Sequence, residues 1–138
     1  MSLPKILIEH CIFYPLENCK NIELMILKGH LALELLMSSI VPDKNQSFYR
    51  KATFIQNINE LEFIGKSLLE LNDIRNKLAH EYSFDIEKSD ILKWSEKIIN
   101  SLEYNKFAKH TKKIKIAHAF SALAVNMYEY ILHKNYKL

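Results

Sequence analysis

A chain of 138 residues, 49% of them hydrophobic, has the size and the apolar content of one packed domain, and residues 1–138 are read as a single one. Two Gly and three Pro supply too little turn chemistry for a many-stranded sheet, so the fold class expected is all-α, an up-and-down bundle of about four to six helices. A formal charge of +3 permits a nucleic-acid partner without requiring one; no leader and no apolar run of membrane-spanning length is read, which points to a cytoplasmic protein with no membrane partner.

In chain order, residues 5–16 are mostly apolar and end near Pro15, as a short leading helix or an extended arm. Cys11 and Cys19, taken with His10 or His30, match no zinc spacing, so two buried thiols are expected and no metal or cofactor. A helix is expected over 21–40, apolar around most of its circumference, with a narrow polar stripe through Glu23, His30 and Glu34. Such a helix must be covered on several sides. Pro42 to Gln46 breaks the chain, after which Ser47 can cap a helix that aligns Phe48, Ala52, Ile55 and Ile58.

A connection near Asn59 leads to the most regular helix, from Glu60 to about Tyr82, with Leu61, Ile64, Leu68, Leu71 and Leu78 in three- and four-residue steps. Residues 83–90 are polar and turn-like. Ser89 or Asp90 can cap a helix through Ile91, Trp94, Ile98 and Leu102, ending near Asn105. The last helix runs from about Lys112 to His133, with Ile116, Phe120, Leu123, Ala124, Met127 and Ile131 inward. Trp94, Tyr128 and Tyr130 are base-stacking candidates, though their helical spacing suits core or interface positions better.

One residue breaks the pattern. A further four-residue step along the stripe from Leu71 lands on Arg75, and a guanidinium on an apolar face is either paired in a structural ion pair or part of a functional site. His80, five residues on, projects about 140° around the helix from Arg75, whereas Asp73, Asn76 and His80 share a face. His80 by itself reads as a partly exposed histidine bonded to Asn76 or Asp73.

The stretch Arg75-Asn76-Lys77-Leu78-Ala79-His80 resembles the signature of the HEPN superfamily of small helical domains, an arginine, a polar residue and then a histidine, here late in a long helix. With Tyr82 it also looks like the arginine–histidine–tyrosine signature of HEPN toxins paired with nucleotidyltransferase antitoxins. The text GHLALELLMSSIVP, FYRKATFIQNI and LLELNDIRNKLAH, roughly residues 29–82, is similar in order and spacing to the mannitol operon repressor branch of these proteins.

The resemblance implies a HEPN-like bundle and a metal-independent endoribonuclease, the toxin of a toxin–antitoxin or defence system, in which the ribose 2′-hydroxyl attacks the neighbouring phosphate. Arg75 would stabilise the phosphorane and His80 would move protons, with Asn76 and Asp73 in support and Glu34 as a further acidic residue from an early helix. Glu34 and His30 are more often read as a solvated i,i+4 contact. Two proton transfers are easier with two histidines, which a homodimer built on the apolar helix 21–40 would supply. Tyr82 would be the residue an antitoxin modifies, adding negative charge beside Arg75.

Lys77 and the basic stretch Lys106, Lys109, His110, Lys112, Lys113 and Lys115 would hold the RNA backbone, the stretch being equally readable as a solvated helix start. The alternative in the same family is a noncatalytic regulator similar to the mannitol operon repressor, which binds protein or nucleic acid and keeps Arg75 as a structural ion pair. A purely structural helical module would make the motif accidental.

Overall fold

The computed structural model describes residues 9–80, 85–87, 89–102 and 111–136. These form six α-helices joined by turns, with no strand among them: α1 (Tyr14–Glu17), α2 (Ile22–Ser38), α3 (Phe48–Gln56), α4 (Glu62–His80), α5 (Ile91–Ser101) and α6 (Lys112–Tyr136). The all-α bundle expected from composition is the architecture found.

Local chemistry sets most of the helix starts. Pro15 lies in the first turn of α1, where its missing N–H costs nothing, so the leading segment is helical and runs through the proline. The side chain of Asn21 accepts the Leu24 N–H at 2.8 Å to open α2, and Ser47 accepts that of Arg50 at 3.2 Å to open α3. A single 3-10 turn, Asn59–Leu61, makes the connection into α4. Of the two candidate caps before α5 it is Ser89 whose hydroxyl accepts the Ile91 N–H, at 3.4 Å, and Asp90 makes no such bond. The expected end of this helix at Asn105 lies outside the described residues.

α6 carries ten consecutive buried residues, Ile116–Val125, and packs on α5, on α2 and on the turn Glu9–Phe13. α3 and α4 form a second closely packed pair, joined to the first through α2–α4 and α4–α5 contacts. Trp94 belongs to this core: its ring lies 5.2 Å from that of Phe120 and its Nε1 donates to the Ser67 carbonyl at 2.9 Å. That indole is therefore no base-stacking platform; Tyr128 and Tyr130 are half-buried against the same core. Cys19 is buried as expected, but Cys11 is exposed.

Two sequence expectations are corrected. Leu61, Ile64, Leu68, Leu71 and Leu78 are all buried, yet the residue that carries the stripe from Leu71 to Leu78 is Ile74, and Arg75 is half-exposed at its edge. Steps of three then four satisfy a 3.6-residue period as well as four then three, and the choice with an aliphatic residue spares a guanidinium its desolvation. In α2 the expected polar stripe is partly inverted: His30 is buried and Glu34 half-buried, while Leu24, Leu27, Leu31 and Leu35 face outward.

The only two glycines of the chain both sit at helix crossings. A Cβ on Gly65 would lie 2.3 Å from the backbone N and Cα of Gln56, so no larger residue lets α4 approach the end of α3 this closely. Gly65→Ala should therefore lower the unfolding free energy by about 1–2 kcal/mol in urea titrations, because overpacking outweighs the helix-propensity gain of about 1 kcal/mol. An unchanged or raised midpoint would show that the crossing can relax.

Candidate functional site

Where α2 crosses α3 and α4, a polar cluster interrupts the apolar packing. His30 of α2 is buried, its ring stacked on Phe48 of α3 with centroids 3.8 Å apart and planes at 19°, and its Nε2 donates to Asn72 Oδ1 of α4 at 3.4 Å. Asn72 and Arg75 are one turn apart on α4, and the Arg75 guanidinium and Glu34 carboxylate are both near enough to act on the imidazole. Burial holds the His30 pKa below its ordinary 6.5; the Asn72 hydrogen bond pulls it back up, Arg75 lowers it further and Glu34 opposes. The ring is accordingly neutral at pH 7.

Glu34 projects from the turn after His30, and its Oε2 meets Lys51 of α3 at 3.3 Å. The Lys51 ammonium also donates to Ser38 Oγ at 3.0 Å and is almost fully enclosed, its side chain 5% exposed against 31% for Glu34. Glu34 is thus neither a freely solvated partner of His30 nor isolated from it. Lys51 was not legible as a site residue, although its position three after Phe48 and one before Ala52 placed it beside the apolar face of α3.

Arg75 forms no ion pair among the described residues and is half-exposed. His30 being neutral and Lys51 cancelled by Glu34, the cluster presents one net positive charge at its wetter edge, supplied by Arg75. Asn76 and His80 are exposed, and His80 is the last residue of α4. Because the helix stays α-helical to that point, Arg75 and His80 of one chain diverge by about 140°, as expected. Tyr82 lies outside the described residues.

Asp73 and Lys77 belong to a different surface. They line a groove of about 350 Å³ between α4 and α5 with Glu70, Asp90, Lys93 and Lys97, over Ile74 and Trp94. Three carboxylates alternate there with three ammonium groups, and Glu70 and Lys97 are paired at 3.0 Å, so Lys77 is not part of a uniformly basic track. Lys112 pairs with Glu87 and Lys115 with Glu96, and Lys113 is half-buried. Exposed pairs of this kind exchange readily for other ions, so Lys112 keeps its capacity to meet a phosphate. Lys106, Lys109 and His110 lie outside the described residues. Among the described residues no three His, Cys, Asp or Glu side chains gather into a metal-holding group, and no helix is long and apolar enough to cross a membrane.

Two predictions test this cluster. Removing the carboxylate strands a buried ammonium, whereas removing the ammonium leaves a carboxylate that water can reach. Glu34→Ala should therefore destabilise by about 3 kcal/mol or more and Lys51→Met by clearly less, measured by urea unfolding; equal losses would mean that Lys51 finds water or another acceptor. The second concerns pH. A histidine with a depressed folded pKa binds fewer protons folded than unfolded, so its contribution is complete above about pH 6.5 and is lost as pH falls below that toward the folded pKa. Wild-type stability should decline between pH 7 and 5.5 and the decline should flatten in His30→Gln; parallel curves would count against a neutral buried ring.

Comparison with protein-family models, with curated proteins and with solved structures finds no match.

Proposed function

We propose that this protein is a metal-independent endoribonuclease of HEPN type, the toxin of a toxin–antitoxin or defence system, working as a homodimer through Arg75 and His80. The observation that carries this reading is the half-exposed Arg75 guanidinium, rooted beside a neutral His30 and a compensated Glu34–Lys51 pair, and without a carboxylate partner among the described residues. An anion is what such a group is left to bind.

The reaction is in-line attack of a ribose 2′-oxygen on the adjacent phosphorus. The new O–P bond forms as the bond to the 5′-oxygen breaks, leaving a cyclic phosphate and a 5′-hydroxyl. One His80 takes the proton of the 2′-hydroxyl, a second, protonated His80 gives one to the departing oxygen, and Arg75 holds the charge that accumulates on the phosphorane oxygens. Asn76, exposed beside Arg75, orients His80 or the phosphate. The divergence of Arg75 and His80 along one straight helix supports drawing these two groups from different subunits. A nucleotidyltransferase antitoxin acting on Tyr82 is the regulation this reading implies.

The alternative, a noncatalytic regulator of the mannitol operon repressor kind, is favoured by the charge-compensated surface around Lys77 and Lys112, which suits a protein partner as well as RNA. Cells expressing wild type, Arg75→Ala and His80→Ala at equal soluble levels separate the two. Only the wild type should arrest growth and generate cyclic-phosphate RNA ends, each variant losing about 10²-fold or more of the cleavage rate. If all three are harmless with RNA intact, the regulator replaces the ribonuclease.

A further inference from the structure

Away from the His30 cluster, the groove of about 350 Å³ between α4 and α5 has the size of a small-molecule site rather than of a protein footprint. Its floor is apolar, made by Ile74 and Trp94, each almost fully buried. Its walls are charged. Glu70 and Lys97 close on one another at 3.0 Å, which leaves one carboxylate and one ammonium on either side: Asp73 and Lys77 from α4, Asp90 and Lys93 from the start of α5.

These four groups stay open. None of them forms an ion pair among the described residues, whereas Glu70, Glu87 and Glu96 each hold a lysine. Asp90 stands at a helix start, where a carboxylate ordinarily accepts a backbone N–H, but Ser89 makes that bond and the Asp90 carboxylate is left to the groove. Two anions and two cations in one small cavity cancel, so a simple anion or cation gains little by entering. The occupant that gains carries both signs, and the floor asks it for an apolar body.

We propose that this groove binds a free α-amino acid with an apolar side chain, its ammonium held by Asp73 and Asp90, its carboxylate by Lys77 and Lys93, and its side chain laid on Ile74 and Trp94. An α-amino acid carries both charges and the side chain on one carbon, so all three contacts are made from one point. A peptide separates its terminal charges by about 3.3–3.6 Å more with each added residue and outgrows the cavity. The ligand competes only with pairing among the four side chains themselves, and exposed pairs are worth little. The site does not involve Arg75 or His80 and does not rest on the reaction proposed above.

Trp94 is the only tryptophan of the chain, so its emission reports on the floor of the groove alone. On the full chain at low ionic strength, leucine and phenylalanine should each shift that emission saturably, with half-saturation at about 10 mM or below. Isocaproate and isoamylamine are leucine without its ammonium and leucine without its carboxylate, and should bind at least about tenfold more weakly. Asp73→Asn should weaken leucine and the amine at least about tenfold and leave the acid unchanged, and Lys93→Gln should weaken leucine and the acid and leave the amine unchanged. Both residues are exposed, and an unchanged circular dichroism spectrum verifies that the fold is kept. No saturable response to either amino acid up to about 50 mM, a half-molecule that binds as well as leucine, or variants that spare leucine or weaken both half-molecules alike would overturn the proposal.

Discussion

The contact of Gly29 with Phe120 governs the rest of the molecule. A Cβ at position 29 would stand 2.5–2.7 Å from the ring of Phe120, itself fully buried in α6, so α2 meets α6 through a residue that has no side chain. That contact fixes the rotation of α2 about its own axis. With Gly29 turned to α6, His30 lies about 100° around, where α3 and α4 pass, and Leu31 a further 100° around, where it is 62% exposed. One close approach thus seats the polar cluster and exposes the leucine row. A rotation of α2 by one residue that brought Leu31 against α3 and α4 would drive His30 onto the buried ring of Phe120.

The cluster that results is not arranged for stability alone. A buried lysine with a half-exposed glutamate and a buried neutral histidine replace what aliphatic side chains could fill, and such replacements seldom improve the free energy of folding. What they do is leave Arg75 without a compensating carboxylate among the described residues, with its neighbours already partnered. Lys51 takes Glu34, and Asn72 rather than a carboxylate takes the imidazole. This division of partners turns an arginine at the edge of a core into a group available to an anion.

The fold was legible where periodicity had one solution. α4 could be read because its leucines recur in unbroken steps, and α3 because Ser47 announces it. α2 resisted for the opposite reason: with apolar residues around most of its circumference, periodicity could not say which face turns inward, and the few polar residues gave the wrong answer, since His30 is one of the buried ones. Only the glycine carried the orientation, and it did so through a contact ninety residues away. At Arg75 two phasings of one stripe fitted equally until packing chose Ile74. Asn72 and Lys51, which complete the site, follow from the tertiary meeting of three helices, which no local pattern encodes.

The two halves of the motif also acquire different structural roots. Arg75 sits at the border of the core face, one turn beyond Asn72 and tied by charge to α2. Asn72, Asn76 and His80 form a row in four-residue steps that drifts about 40° per step around α4, so it starts at the buried His30 and ends in solvent at the last residue of the helix. The row leaves the interior on the side of α4 that faces α2, the helix whose outer face carries the leucines.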